Sequence, residues 1–82
     1  MSNMIVKKLQ RESTVGIFGG GQLGCLLANA AHKLGFKVVI WEHNPDAPAH
    51  KRFKHTIARD YDDPEALEEF CNLVDVATTE FE

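Results

Sequence analysis

The stretch GIFGGGQLGCLL, Gly16 to Leu27, decides how the rest of the chain is read. Every glycine of the chain except Gly35 lies between Gly16 and Gly24. Before them, Thr14 to Phe18 (TVGIF) is a short β-branched and apolar run, the pattern of a strand buried on both faces of a parallel sheet. From Leu23 the period changes. Leu23, Leu26, Leu27, Ala30, Ala31 and Leu34 recur at helical spacing and predict a single apolar helix face. Gly35 then stands where a helix takes a left-handed terminating residue.

Further along, Lys37 to Trp41 (KVVIW) reads as a second buried strand ending at Glu42. HNPDAPA, His43 to Ala49, carries two prolines and is expected to be loop. Lys51 to Lys54 fits one helical turn, and Thr56 to Ala58 a short third strand. A helix start follows: Asp63 as cap, Pro64 at the first helical position and Glu65 in the first turn. Its expected apolar face is Leu67, Phe70, Cys71 and Val74, and Val74 to Thr79 gives a fourth strand. Strands alternating with helices predict an α/β fold, a half Rossmann-like open parallel sheet of about four strands in the order 3-2-1-4. Residues 1–13 read as an N-terminal extension in which Ile5, Val6 and Leu9 could dock as a strand or turn; 14–82 read as the domain.

Composition bounds the partners. The chain has 82 residues, 44% hydrophobic and 26% charged, which fits one small soluble domain. A net charge of −3 leaves no basic stripe for nucleic acid. The longest basic cluster, Lys51-Arg52-Phe53-Lys54, is short and reads as a solvated loop face. Cys25 and Cys71 form no CxxC, and both fall at helical positions that could be packed, so reduced thiols are expected. MSNMIVKKLQRES lacks the apolar core of a signal peptide, and no run approaches a membrane span, so a cytoplasmic location and no membrane partner are expected. His32, His43, His50 and His55 show no metal-ligand spacing.

Gly19, Gly21 and Gly24 spell G-x-G-x-x-G between a strand and a helix. The first glycine allows a tight turn, the second lets a ligand approach the backbone, and the third lets helix pack close to strand. Free N–H groups and the helix dipole then favour an anion, so the loop suits a phosphate. A glycine-rich turn serving packing alone is the competing reading. Glu42 lies where a dinucleotide enzyme bonds a ribose hydroxyl; it reads equally as a solvated strand end. Gln22 offers a side-chain amide at the loop, although it is also an ordinary helix former. Glu80 and Glu82 share one side of the fourth strand, at the carboxyl end where ligands bind in parallel sheets; both could instead be solvated at a frayed terminus.

GIFGGGQLGCLLANAAHKLGF, NPDAPA, DYDDPEAL and DVATTEFE together resemble the N-terminal domain of the N5-carboxyaminoimidazole ribonucleotide synthetase family, the ATPase subunit of phosphoribosylaminoimidazole carboxylase. The likeness runs over residues 14–82 with four motifs in register. The family belongs to the ATP-grasp superfamily, and this segment is similar to its pre-ATP-grasp domain. The resemblance implies a full enzyme, classed as ligase or lyase, that serves purine biosynthesis. It would use ATP and Mg²⁺ to activate bicarbonate as carboxyphosphate and carboxylate 5-aminoimidazole ribonucleotide, and would act as a homodimer. ATP and Mg²⁺ would belong to ATP-grasp and C-terminal domains absent from this chain, which is expected to be an inactive fragment without catalytic residues of its own. Gly20, Gly21, Gln22 and Leu23 would hold the ribonucleotide, and Glu80 would hydrogen-bond it. One departure stands out: Cys25 follows GQLG where the family usually has Arg.

Two other readings differ in class. One is an NAD(P)-binding Rossmann half-domain of a dehydrogenase, in which Glu42 would be the cofactor-binding residue. The other is a non-catalytic module with purely structural glycines. Within the superfamily, glycinamide ribonucleotide transformylase is the nearest alternative; Gln22 and TTEFE favour the carboxylating enzyme.

Overall fold

The computed structural model describes residues 4–6 and 13–79. The strands β2 (Thr14–Phe18), β3 (Lys37–Trp41), β4 (Thr56–Ile57) and β5 (Val76–Thr79) pair in parallel in the order β4-β3-β2-β5. This is the order expected from the sequence. A short strand β1 (Met4–Val6), from the segment read as an extension, adds to the edge antiparallel to β5, with Ile5 opposite Ala77. Three helices connect the strands: α1 (Gln22–Lys33), α2 (Pro48–Arg52) and α3 (Pro64–Leu73).

The sheet is buried on both faces, and alternation along the strands fills both layers. Val15, Ile17, Val38 and Ile40 pack toward α1 with Cys25, Ala28 and Ala31. Val39 and Trp41 pack on the other face with Ala66 and Phe70 of α3. Trp41 is 1% exposed, and its indole N–H donates to the Arg59 carbonyl at 2.8 Å. At the far end of the sheet, Asp75 clamps β2 to β5: Thr14 N–H donates to its carboxylate at 2.9 Å, and Asp75 N–H to the Thr14 carbonyl at 2.8 Å.

The apolar face expected for α1 is only partly the buried one: Ala31 is buried and Leu27 packs against the core, but the other leucines are exposed. Leu23, Leu26 and Leu34 are 48%, 65% and 72% exposed, and the face against the sheet is Gly24, Cys25, Ala28 and Ala31. Small side chains let the helix axis approach the strands, and the larger residues are displaced outward. α3 differs in the same sense: Ala66 and Phe70 are buried, Val74 is half-buried, and Leu67 and Cys71 are exposed. Cys71 is therefore not packed, while Cys25 is, and both are free thiols. The loop expected over His43 to Ala49 ends early, because Pro48 takes the first position of α2, where its missing N–H costs nothing.

Helix ends follow their sequence signals. Gly35 has φ 91°, its N–H donates to the His32 carbonyl and Phe36 N–H to that of Ala31, which closes α1 as a Schellman turn. Asp63 caps α3, accepting from Glu65 N–H at 2.9 Å and Ala66 N–H at 3.3 Å, and is itself held by Arg59.

Gly16 is where α3 meets the sheet. A Cβ there would lie 2.4 Å from the Phe70 ring and 2.7 Å from Val74 Cγ1. Gly16→Ala is expected to cost about 1–3 kcal/mol through forced repacking of Phe70. Urea unfolding followed by the emission of the single tryptophan, Trp41, measures it.

Candidate ligand-binding site

The G-x-G-x-x-G stretch spans the turn from β2 into α1. It lies at the carboxyl end of the sheet, between β3 on one side and β5 on the other, the place where open α/β sheets bind ligands. Gly19 has φ 105°, which an L side chain rarely adopts, and its N–H donates to the Trp41 carbonyl at 2.9 Å. Gly20 follows with both backbone groups engaged. Its N–H donates to Glu42 Oε1 at 2.8 Å, and its carbonyl accepts from Ala49 N–H at 3.2 Å. A Cβ on Gly20 would meet Ala49 Cβ at 2.8 Å and Glu42 Cβ at 2.9 Å, so glycine is required for close approach.

Gly21 is the helix N-cap, with φ −80° and ψ −161°, and no side chain caps the helix. The first intrahelical bond is Cys25 N–H to the Gly21 carbonyl at 3.0 Å, so the amides of Gln22 and Leu23 precede the hydrogen-bonded ladder. No residue of the first helical turn is acidic, so α1 itself supplies no counter-charge to its positive dipole end. α3 shows the alternative: its N-terminus is filled by Asp63 and Glu65. Gln22 also lines a cleft of about 240 Å³ between α1 and α2, with Cys25, Leu26, Asn29 and Arg52. Arg52 was not distinguishable from its basic neighbours in the sequence; the fold alone sets it beside Gln22.

Glu42 is neither a solvated strand end nor a free ribose acceptor. It is 7% exposed, and both carboxylate oxygens are used: Oε1 by Gly20 N–H and Oε2 by Asn44 N–H, each at 2.8 Å. His43 Nδ1 lies 3.2 Å from Oε2, and the His50 ring nitrogen Nε2 lies 3.0 Å from the Glu42 carbonyl. Burial pushes the carboxyl pKa up, but the Asn44 and Gly20 amides, with the nearby His43 and His50, outweigh it and hold the pKa below its ordinary value.

Of the other site residues read from the sequence, Gly20, Gly21, Gln22 and Leu23 are brought to this one corner. Glu80 lies outside the described residues; the last described residue of β5, Thr79, is in register with Phe18, immediately before Gly19. Among the described residues no group of three or more His, Cys, Asp or Glu side chains could hold a metal ion, and no helix is long and apolar enough to cross a membrane.

Residues 12–82 match the family described as the ribonucleotide synthetase preATP-grasp domain. The chain belongs to that family. It is similar to the N5-carboxyaminoimidazole ribonucleotide synthase of Staphylococcus haemolyticus, 47% identical over 79 residues covering 96% of this chain and 21% of the relative. Among solved structures it resembles N5-carboxyaminoimidazole synthetase from Staphylococcus aureus complexed with ADP, with TM-score 0.81 and 42% identity over 90% of this chain and 20% of that one. The Thermotoga maritima synthetase aligns with TM-score 0.74 and 33% identity, over 84% of this chain and 19% of that one. The chain thus spans about a fifth of the length of these relatives.

The Glu42 arrangement carries a pH signature. A carboxyl held below its ordinary pKa contributes stability that is fully present above that ordinary value and is lost as pH falls through the lowered one. Replacing Glu42 by Gln leaves a buried amide donor poorly paired, at a cost of about 1–3 kcal/mol near neutral pH. The difference between wild type and Glu42→Gln is expected to shrink below the ordinary carboxylate range. Urea midpoints measured across pH for both proteins check this.

Proposed function

We propose that this chain is the substrate-holding N-terminal part of an ATP-dependent ligase. The whole enzyme carboxylates 5-aminoimidazole ribonucleotide with bicarbonate to N5-carboxyaminoimidazole ribonucleotide. The observation that carries the reading is the contrast within the glycine loop. Gly20 N–H is spent on Glu42, whereas the Gln22 and Leu23 amides open the helix with no side-chain cap among the described residues and no acidic residue in the first turn. That is a cradle for one phosphate. A dinucleotide would need Glu42 for its ribose, but that carboxylate is 7% exposed and already accepts a backbone donor on each oxygen. Family membership and the names of the similar proteins support the same ligand.

In this reading the ribonucleotide phosphate sits on the Gln22 and Leu23 amides, with Gly20 and Gly21 giving it access to the backbone. Arg52, across the cleft from Gln22, supplies a cation in the region where the family Arg is replaced by Cys25. Cys25 itself is 2% exposed and cannot substitute for that charge. Glu80 accepts a hydrogen bond from the ribose or the amine. ATP and Mg²⁺ are held by the rest of the polypeptide: bicarbonate takes the γ-phosphoryl group to give carboxyphosphate and ADP, and the ribonucleotide amine then attacks its carboxyl carbon and releases phosphate. This chain's task is to bind and orient the amine. The complete enzyme would be a cytoplasmic homodimer.

The test is ADP release by the full-length polypeptide with Mg-ATP and bicarbonate, with and without the ribonucleotide. Release that depends on the ribonucleotide is expected; NAD binding with no response to the ribonucleotide contradicts the reading. Gly21 lies in backbone that any residue adopts, so Gly21→Val is expected to spare folding. It should raise the ribonucleotide KM at least roughly tenfold by blocking the cradle, while the ATP KM stays put.

A further inference from the structure

Resting on that reading, we infer that Glu42 is a positioning residue of the ribonucleotide site. Its buried carboxylate fixes the glycine loop, before any ligand arrives, in the form that presents the Gln22 and Leu23 amides. While Gly19 N–H is held by the Trp41 carbonyl, Gly20 is the residue of the turn engaged on the most sides. Its N–H is bound by Glu42 Oε1 at 2.8 Å, its carbonyl by Ala49 N–H at 3.2 Å, and its Cα face is closed by Ala49 and Glu42 at under 3 Å from any added Cβ. Oε2 of the same carboxylate ties down Asn44 N–H at 2.8 Å, so one side chain joins the glycine loop to the start of the β3–α2 connection. That connection delivers Ala49 back to Gly20 and Arg52 to the cleft. Glu42 is therefore shared by both walls of the site.

Only Gly21 separates Gly20 from the first of the two helix-opening amides. A displacement of Gly20 rotates those amides directly, and a small misplacement of binding groups is costly. The neighbouring Gly19 gives no compensating rigidity of its own, since glycine is the most conformationally free residue. A loop of three successive glycines, Gly19 to Gly21, holds one shape only if something outside it enforces that shape. Glu42 does so with charge-assisted hydrogen bonds, roughly twice as strong as neutral ones. It does not touch the ligand in this scheme: it is buried, and each of its oxygens is turned to a backbone amide.

The test uses the full-length polypeptide. Glu42→Gln keeps the shape of the side chain and one acceptor oxygen but loses the charge and one backbone bond. It is expected to raise the ribonucleotide KM roughly tenfold, with kcat, the ATP KM and Trp41 emission little changed. Glu42→Asp, which keeps the charge but is too short to reach both amides, should fall between the two. A ribonucleotide KM within about twofold of wild type in folded Glu42→Gln overturns the proposal. So does an equal loss in every kinetic parameter, which would mark a merely structural role. If neither variant folds, hydrogen exchange in the wild-type protein decides. Slow exchange of the Gly20 and Asn44 amides without ligand, unchanged by ribonucleotide, is expected; protection that appears only with ribonucleotide overturns it. A wild-type enzyme indifferent to the ribonucleotide would instead refute the functional reading, a separate outcome.

Discussion

The Glu42 carboxylate between Gly20 N–H and Asn44 N–H is the contact on which the site depends. Burying a charge is expensive unless every lone-pair direction it presents finds a donor. Here the two oxygens find backbone amides from two different loops, and the cost of burial becomes a device that fixes those loops to each other. The sheet makes the contact possible. Phe18 and Trp41 end β2 and β3 in register, so the residues that follow each of them emerge side by side.

That placement explains why a G-x-G-x-x-G motif does not by itself mean a dinucleotide. The same spacing of glycines and the same acidic residue after the next strand occur here, but the acid faces its own protein. What remains open to a ligand is the helix end. The two long helices differ at their starts: α3 has Asp63 as cap and Glu65 in its first turn, and α1 has neither a side-chain cap among the described residues nor an acid in its first turn. A helix N-terminus with no acidic residue in its own first turn, at the switch point of a parallel sheet, suits a single phosphate.

Much of this was legible in the sequence because local signals agree with the fold. TVGIF and KVVIW are short, β-branched runs without polar alternation, the pattern of strands buried on both faces. The Asp63-Pro64 start and the Gly35 stop are read from backbone chemistry, which does not depend on distant residues. Other features were not legible. The leucines of α1 dominate its hydrophobic pattern, yet close approach of helix to sheet selects Gly24, Cys25, Ala28 and Ala31 for the interface. Size, rather than hydrophobicity, decided that face. The burial of Glu42 arises from the return of α2 onto the glycine loop through Ala49, a contact no spacing rule encodes. Arg52 comes to line the cleft with Gln22 by the same return, and nothing in Lys51-Arg52-Phe53-Lys54 marks it out from its neighbours.

The central claim is that the glycine loop holds a phosphate rather than a dinucleotide or nothing. The most direct measurement is calorimetric titration of the full-length polypeptide with 5-aminoimidazole ribonucleotide, in parallel with the same nucleoside lacking its phosphate. If the Gln22 and Leu23 amides cradle the phosphate, the ribonucleotide binds and the nucleoside binds far more weakly. Equal affinity for both would show that the phosphate lies elsewhere and would contradict the account.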